Sequence, residues 1–125
     1  MTKILLAEDH AGVRKSLVQL IRDEFPEAHI TDVEDGWELL TAIKRETFDI
    51  VISDLSMPII TGLEALPYIK QINASLPVLL ISTHPANQYS GIIEAAGAKG
   101  YLQKDSAPEE LGRAIGIVLS GGNYF

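Results

Sequence analysis

At 125 residues, with 46% apolar and 22% charged side chains, the chain has the size of one folded domain with a substantial core and leaves no room for a long disordered tract. Ten basic against seventeen acidic residues give a formal charge of -7, the wrong sign for gripping nucleic acid unaided. The absence of cysteine excludes disulfides and thiolate metal sites, so any cation must be held by oxygen or imidazole.

The first element expected is a short apolar strand over residues 4–7, which runs into Glu8 and Asp9. It follows no export signal, and no apolar run approaches membrane-spanning length, so a cytoplasmic protein outside the membrane is expected. A helical stripe of Val13, Leu17, Leu20 and Ile21 comes next. Residues 29–33 interleave Thr31 and Asp32 with Ile30 and Val33, as an edge strand does. Asp35 and Glu38 have capping-box spacing, which predicts a helix opening near residue 36 with Trp37 packed at it and given no function. Residues 50–53 form a second continuous apolar run, and Asp54 ends it. The third helical segment contains Pro67, which removes a backbone hydrogen bond unless it lies in the first turn; a late start or a bend is predicted. A third central strand over residues 78–82 delivers Ser82 and Thr83. The helical segment from about 86 to 96 contains Asn87, Ser90 and Gly91, poor helix formers that mark it as the element to move. A short edge strand surrounds Tyr101 and Leu102, and Lys104 follows it. Ser106 with Glu109 repeats the capping spacing, so a last helix is expected from near 107, striped by Leu111, Ala114, Ile115, Val118 and Leu119.

Strand and helix therefore alternate five times, which with right-handed crossovers predicts an α/β parallel sheet between two helical layers. Functional groups in such folds gather at the carboxyl ends of the strands. Here those ends carry Glu8, Asp9, Asp54, Ser82 and Lys104. Three carboxylates brought together repel unless a cation intervenes, and Mg²⁺, which usually joins one or two carboxylates to a phosphate, suits an all-oxygen site. Asp54 is then a candidate nucleophile toward phosphorus. Lys104 would neutralise the phosphoryl oxygens, and the Ser82 hydroxyl would donate to the new phosphoryl group.

The stretches Leu5-Leu6-Ala7-Glu8-Asp9, Asp54-Leu55-Ser56-Met57-Pro58 with Gly62, Leu80-Ile81-Ser82 and Gly100-Tyr101-Leu102-Gln103-Lys104 together resemble receiver domains of two-component response regulators. The resemblance runs along essentially the whole chain, and four motifs in order at matching intervals make it specific. It implies a flavodoxin-like (βα)5 three-layer sandwich with strand order 2-1-3-4-5, one receiver domain over residues 1–125, and phosphorylation of Asp54 by a sensor histidine kinase. It also implies Asp9, Asp54 and the Ser56 backbone carbonyl as direct Mg²⁺ ligands, Glu8 as a ligand acting mainly through water, and Lys104 as the phosphoryl partner. Ser82 and Tyr101 match the hydroxyl and aromatic switch positions, and Ser56 and His84 match positions that border the hydrolytic water and tune signal lifetime. A homodimer through the fourth helix, fifth strand and fifth helix is implied as well. Ser82-Thr83-His84 and Lys104-Asp105 resemble the NarL/LuxR type, whose usual continuation is a helix-turn-helix DNA-binding domain, and the ending Ser120-Gly121-Gly122-Asn123-Tyr124-Phe125 resembles the start of a linker to it. Thr83 and Asp105 depart from the small residue and the proline common at those positions, which puts site access and the loop after Lys104 in question.

Singly, each residue has a plainer reading. An acidic pair is ordinarily a solvated loop, Asp54 a helix cap, Lys104 a surface cation, Ser82 a turn former, Tyr101 core, and His84 before Pro85 a structural or merely exposed imidazole. For the acidic pair, Asp54, Ser82 and Lys104, their common placement at strand ends outweighs those readings; for His84 and Tyr101 the plainer reading stands beside the functional one. An aspartate-nucleophile phosphohydrolase would want a second acid where Ser56 stands, so a regulatory phosphoacceptor, not a turnover enzyme, is expected. A flavin or nucleotide carrier would want a Gly-rich or hydroxyl-rich loop where Glu8, Asp9 and His10 stand. A pseudo-receiver used only as an interaction module is disfavoured by the complete acidic set, Ser82 and Lys104.

Overall fold

The computed structural model describes the backbone of residues 1–125 and the side chains of all but residues 86–89. Elements alternate as β1 (Lys3–Ala7), α1 (Ala11–Glu24), β2 (His29–Val33), α2 (Gly36–Arg45), β3 (Ile50–Asp54), α3 (Gly62–Ile72), β4 (Val78–Ser82), α4 (Ala86–Ala95), β5 (Gly100–Gln103) and α5 (Ala107–Leu119). The strands form one sheet of order β2-β1-β3-β4-β5, parallel at every pairing. This is the expected flavodoxin-like arrangement, and no described helix is long and apolar enough to cross a membrane.

The period-two alternation of each strand supplies a core on either face. Leu5, Ala7, Val51, Val78, Leu80 and Tyr101 pack with α2 and α3 residues such as Leu39, Leu66 and Ile69, and with Ile93 of α4. Ile4, Leu6, Ile50, Ile52, Leu79, Ile81 and Leu102 pack against Leu17 and Ile21 of α1 and Leu111, Ile115 and Val118 of α5. Burial on both faces is why β1, β3 and β4 read as unbroken apolar runs. Val13 is exposed, so the α1 stripe begins effectively at Leu17. Trp37 departs further from expectation. It is 64% exposed, because the buried stripe of α2 is Gly36, Leu39, Leu40 and Ile43 and residue 37 falls off that face.

Helix starts refine the sequence reading. Asp35 caps α2, accepting from the Glu38 N–H at 2.8 Å, while the Glu38 carboxylate accepts from the Glu34 N–H at 3.0 Å instead of closing the box on Asp35. Ser106 makes no side-chain cap. A cap needs extended backbone so that the hydroxyl can swing back to N3, whereas Ser106 sits at φ -89°, ψ -4°, ending a 3-10 turn over Lys104–Ser106 that runs straight into α5. Of the two outcomes expected for α3, a late start or a bend, the late start is overturned: the helix begins at Gly62 and carries Pro67 inside. A reciprocal box holds it there, with Glu64 N–H on Thr61 Oγ1 and Thr61 N–H on Glu64 Oε1, both at 3.0 Å. Gly62 is obligatory at that junction, since a Cβ would lie 2.1 Å from the Asp54 carbonyl oxygen.

The loop entering α3 holds the only non-glycine residue at positive φ among the described residues, Ile59 at 71°, and it is 73% exposed. A β-branched residue in the left-handed region costs about 1–2 kcal/mol, and here little packing offsets it. Ile59→Asn is expected to stabilise the fold by about 1 kcal/mol, read as a higher urea midpoint with unchanged slope. An unchanged midpoint would mean that Ile59 packing offsets the strain.

Both β2 and β5 are edge strands, as expected, yet β5 is largely buried. The ending read as a linker start supplies its partner. Tyr124 forms a parallel bridge to Gly100, with Tyr101 N–H on the Tyr124 carbonyl at 2.7 Å and Tyr124 N–H on the Lys99 carbonyl at 2.9 Å. The Tyr124 hydroxyl also donates to Glu110 of α5. Asn87, singled out for poor helix propensity, lies outside the residues whose side chains are described.

Candidate functional site

Level parallel register brings the strand ends together, with Ala7 beside Ser53, Asp54 beside Ile81 and Ser82 beside Gln103. Glu8, first beyond β1, is completely buried, and Asp54, last in β3, is 4% exposed. Lys104, first beyond β5, closes the group: its Nζ lies 2.7 Å from Glu8 Oε1 and 3.0 Å from Asp54 Oδ2. The other Asp54 oxygen, Oδ1, accepts from the Ser56 N–H at 3.2 Å. The aspartate is thus fixed by an ammonium on one oxygen and an amide on the other. Arg14 supports the rim from α1, donating to the Glu8 carbonyl at 2.8 Å and pairing with Asp32 at 3.2 Å.

The electrostatics are those of a crowded acidic pocket. Burial, aided by the Glu8 charge, pushes the Asp54 carboxyl up to about 6 despite Lys104 and the Ser56 amide pulling the other way. For Asp9, burial pushes upward, but its own backbone N–H, a hydrogen bond with Asp54 and the His10 charge prevail, so it lies below the ordinary carboxylate range. Burial would lower Lys104, yet hydrogen bonds and charge from Glu8 and Asp54 hold it above its usual value.

The donor set fits a divalent ion. Ligand atoms of Glu8, Asp9, His10 and Asp54 lie within 4.8 Å of one another. Asp9 Oδ1 and Glu8 Oε1 are shielded from water and accept no hydrogen bond among the described residues, the latter having only its ion pair with Lys104. Buried carboxylate oxygens with unused lone pairs are what a hard cation requires.

The remaining expected residues lie nearby with different engagements. Ser82 is buried, and its Oγ accepts from the His84 N–H at 3.2 Å. Tyr101 is turned inward, 2% exposed, and donates its hydroxyl proton to the His84 carbonyl at 2.7 Å. His84 therefore links Ser82 and Tyr101, the two residues expected at switch positions, through its backbone. Ser56, Thr83, His84 and Asp105 are exposed or half-exposed at the rim. One contact went unread in the sequence. The His10 N–H donates to Glu8 Oε2 at 3.1 Å, and its Nδ1 lies 3.3 Å from Glu8 Oε2 and 3.4 Å from Asp9 Oδ1. Its signal was simply its place next to the acidic pair.

The family model for the response regulator receiver domain matches residues 4–116. Response regulator UvrY of Escherichia coli K12 is 32% identical over 99% of this chain and 57% of its own length. The transcriptional regulatory protein UhpA of the same organism is 32% identical over 99% of this chain and 62% of its own. The chain thus spans little more than half the length of these curated relatives. Among solved structures, a LuxR-family two-component response regulator from Aurantimonas sp. SI85-9A1 superposes with a TM-score of 0.91 at 31% identity, covering 100% of this chain and 90% of that one. A CheY-like receiver domain from Methanospirillum hungatei JF-1, at 22% identity, shares the fold with a TM-score of 0.86 over 97% and 95% of the two chains.

Proposed function

The chain belongs to the response regulator receiver domains, in their NarL/LuxR group, and from that premise we propose that it is a switch thrown by transfer of a phosphoryl group from a sensor histidine kinase to Asp54. The observation that carries the assignment is the Asp54 carboxylate itself, buried and gripped by Lys104 at 3.0 Å and the Ser56 amide at 3.2 Å, beside Glu8 and Asp9. Mg²⁺, held by Asp9, Asp54 and the Ser56 carbonyl with Glu8 acting through water, would supply the positive charge that lets an anionic phosphodonor approach these carboxylates.

A carboxylate oxygen of Asp54 attacks phosphorus as the bond to the donor's imidazole nitrogen, or to the acetate oxygen of acetyl phosphate, breaks in line. Lys104 compensates the equatorial charge. The Ser82 hydroxyl, held now by the His84 N–H, turns to the phosphoryl group, and His84 shifts with it. Tyr101, hydrogen-bonded to the His84 carbonyl, repacks in response, altering the face of α4, β5 and α5 on which a homodimer would form. Ser56 and His84 flank the approach of hydrolytic water and set the lifetime. The protein promotes only its own phosphorylation and dephosphorylation.

The output is transcription, through a DNA-binding domain beyond the present chain. The shorter span relative to UvrY and UhpA, and the likeness to a protein described as a DNA-binding response regulator of the LuxR family from Staphylococcus aureus, support that reading. The net charge of -7 is in keeping with DNA contact by a separate domain, and the setting is cytoplasmic.

Intact-mass measurement tests the central step. Acetyl phosphate with Mg²⁺ should add one phosphoryl group, and chelation by EDTA should prevent it. A protein that folds and binds Mg²⁺ yet acquires no phosphoryl group from either acetyl phosphate or a phosphorylated kinase would instead be a pseudo-receiver.

A further inference from the structure

We propose that His10 furnishes the acidic pocket with a nitrogen ligand, so that the pocket prefers borderline divalent ions such as Ni²⁺, Co²⁺ or Zn²⁺, which then compete with Mg²⁺ for it. The inference rests on the reading that Asp9 and Asp54 hold a cation, and it concerns which cation they hold.

The placement of His10 is the first argument. It occupies the N-cap of α1 with extended backbone, φ -84° and ψ 113°, where a side chain ordinarily turns to the helix amides, yet it makes no such bond. Its backbone is otherwise engaged, with the N–H on Glu8 Oε2 at 3.1 Å and the carbonyl accepting from the Arg14 N–H at 2.8 Å. Those two bonds leave the ring beside the carboxylates. Its side chain is 72% exposed, so it stands at the mouth of the pocket and is open to an arriving ion.

Distances are the second argument. Nδ1 lies 3.3 Å from Glu8 Oε2 and 3.4 Å from Asp9 Oδ1, nearly equidistant from acceptors on two residues. Both separations are long for an N–H···O hydrogen bond, whose usual length is about 2.9–3.0 Å. They match ligand atoms around a small ion, because bonds of about 2.0–2.2 Å in tetrahedral or octahedral array set neighbouring donors roughly 3.0–3.5 Å apart. Asp9 Oδ1, which accepts no hydrogen bond among the described residues, is the acceptor such an ion would satisfy.

Ligand chemistry then sets the preference. Mg²⁺ seeks oxygen and water, whereas imidazole suits zinc, nickel and copper, and affinity for mixed nitrogen and oxygen sites rises along the first-row series. His10 therefore adds little for Mg²⁺ and much for Ni²⁺ or Zn²⁺.

Titration calorimetry with Ni²⁺ and, separately, Mg²⁺ tests this on the parent chain, His10→Ala and His10→Asn, the last keeping a polar N-cap. Orienting partners outside the coordination shell alone typically account for 10–100-fold in metal affinity, so loss of a direct ligand should weaken Ni²⁺ binding by at least about tenfold in both variants. Mg²⁺ binding should stay within about threefold, and Mg²⁺ should weaken apparent Ni²⁺ affinity in the parent. The visible spectrum of bound Co²⁺ should also shift when the nitrogen donor is removed. Equal Ni²⁺ affinity and an unchanged Co²⁺ spectrum in all three proteins would overturn the proposal and leave the Mg²⁺ reading intact. A parent chain that binds neither Ni²⁺ nor Mg²⁺ would overturn both.

Discussion

Asp54→Asn is expected to abolish phosphoryl uptake and, in the same molecule, to raise the stability of the unmodified protein. The first effect follows from removing the strand-end carboxylate gripped by Lys104 and the Ser56 amide, since a carboxamide is not a competent nucleophile toward phosphorus. The second follows from the cost of ionising Asp54 where it sits. Its carboxyl is raised from 3.8 to about 6 by burial and the neighbouring Glu8 charge. A carboxyl raised on folding favours the native state while protonated, so that contribution is complete below about pH 4 and is lost as pH rises through 6. The difference corresponds to roughly 3 kcal/mol. Asparagine resembles the protonated acid in shape and does not ionise. Urea unfolding without divalent cations should therefore give similar stabilities for the two proteins near pH 4, with a gap of about 1–3 kcal/mol in favour of the variant at pH 7.5. Parallel profiles over that range would show that Asp54 ionises without cost. Phosphoryl labelling at the parental level in the variant would defeat its assignment as acceptor.

Which parts of this molecule could be read from sequence depends on how many of its determinants are local. β1, β3 and β4 were legible because burial on both faces leaves continuous apolar runs, and their following residues were legible because parallel register puts all strand ends on one rim. Glu8, Asp9, Asp54 and Lys104 converge for that reason. Caps were less secure: Asp35 and Ser106 have the same spacing to a glutamate, yet only Asp35 has the extended backbone that capping needs. The true box at Thr61 and Glu64 was present in the sequence, but Pro67 drew attention to a later start. Contacts set by rotamer and by distant pairing were not legible. The double engagement of Lys104, the hold of the His84 amide on Ser82, the imidazole of His10 between two carboxylates, and the pairing of Tyr124 with β5 all belong to this class.

Lys104→Met should cost several kcal/mol of stability at neutral pH, and acid should restore much of it. The ammonium stands between Glu8 Oε1 at 2.7 Å and Asp54 Oδ2 at 3.0 Å, and Glu8 is wholly buried. Methionine keeps much of the packed stem but leaves two buried carboxylates facing each other, and stripping one partner from a buried ion pair typically costs about 3–5 kcal/mol. The pair can evade that cost only by binding a proton. Asp54, already raised to about 6 with the lysine present, must rise further once that attraction is lost. Because its raised carboxyl stabilises the folded state only while protonated, the variant should approach parental stability as pH falls toward 5, and the gap should open as pH rises from about 6 toward the variant's own higher value. The parent declines less, since Lys104 itself, raised by Glu8 and Asp54, stays charged throughout this range. Thermal melts from pH 5 to 8 without divalent cations would resolve the divergence. Addition of Mg²⁺ should narrow it, because a bound cation supplies the charge that the lysine no longer does. A uniform destabilisation, independent of pH and of Mg²⁺, would instead identify the role of Lys104 as packing alone.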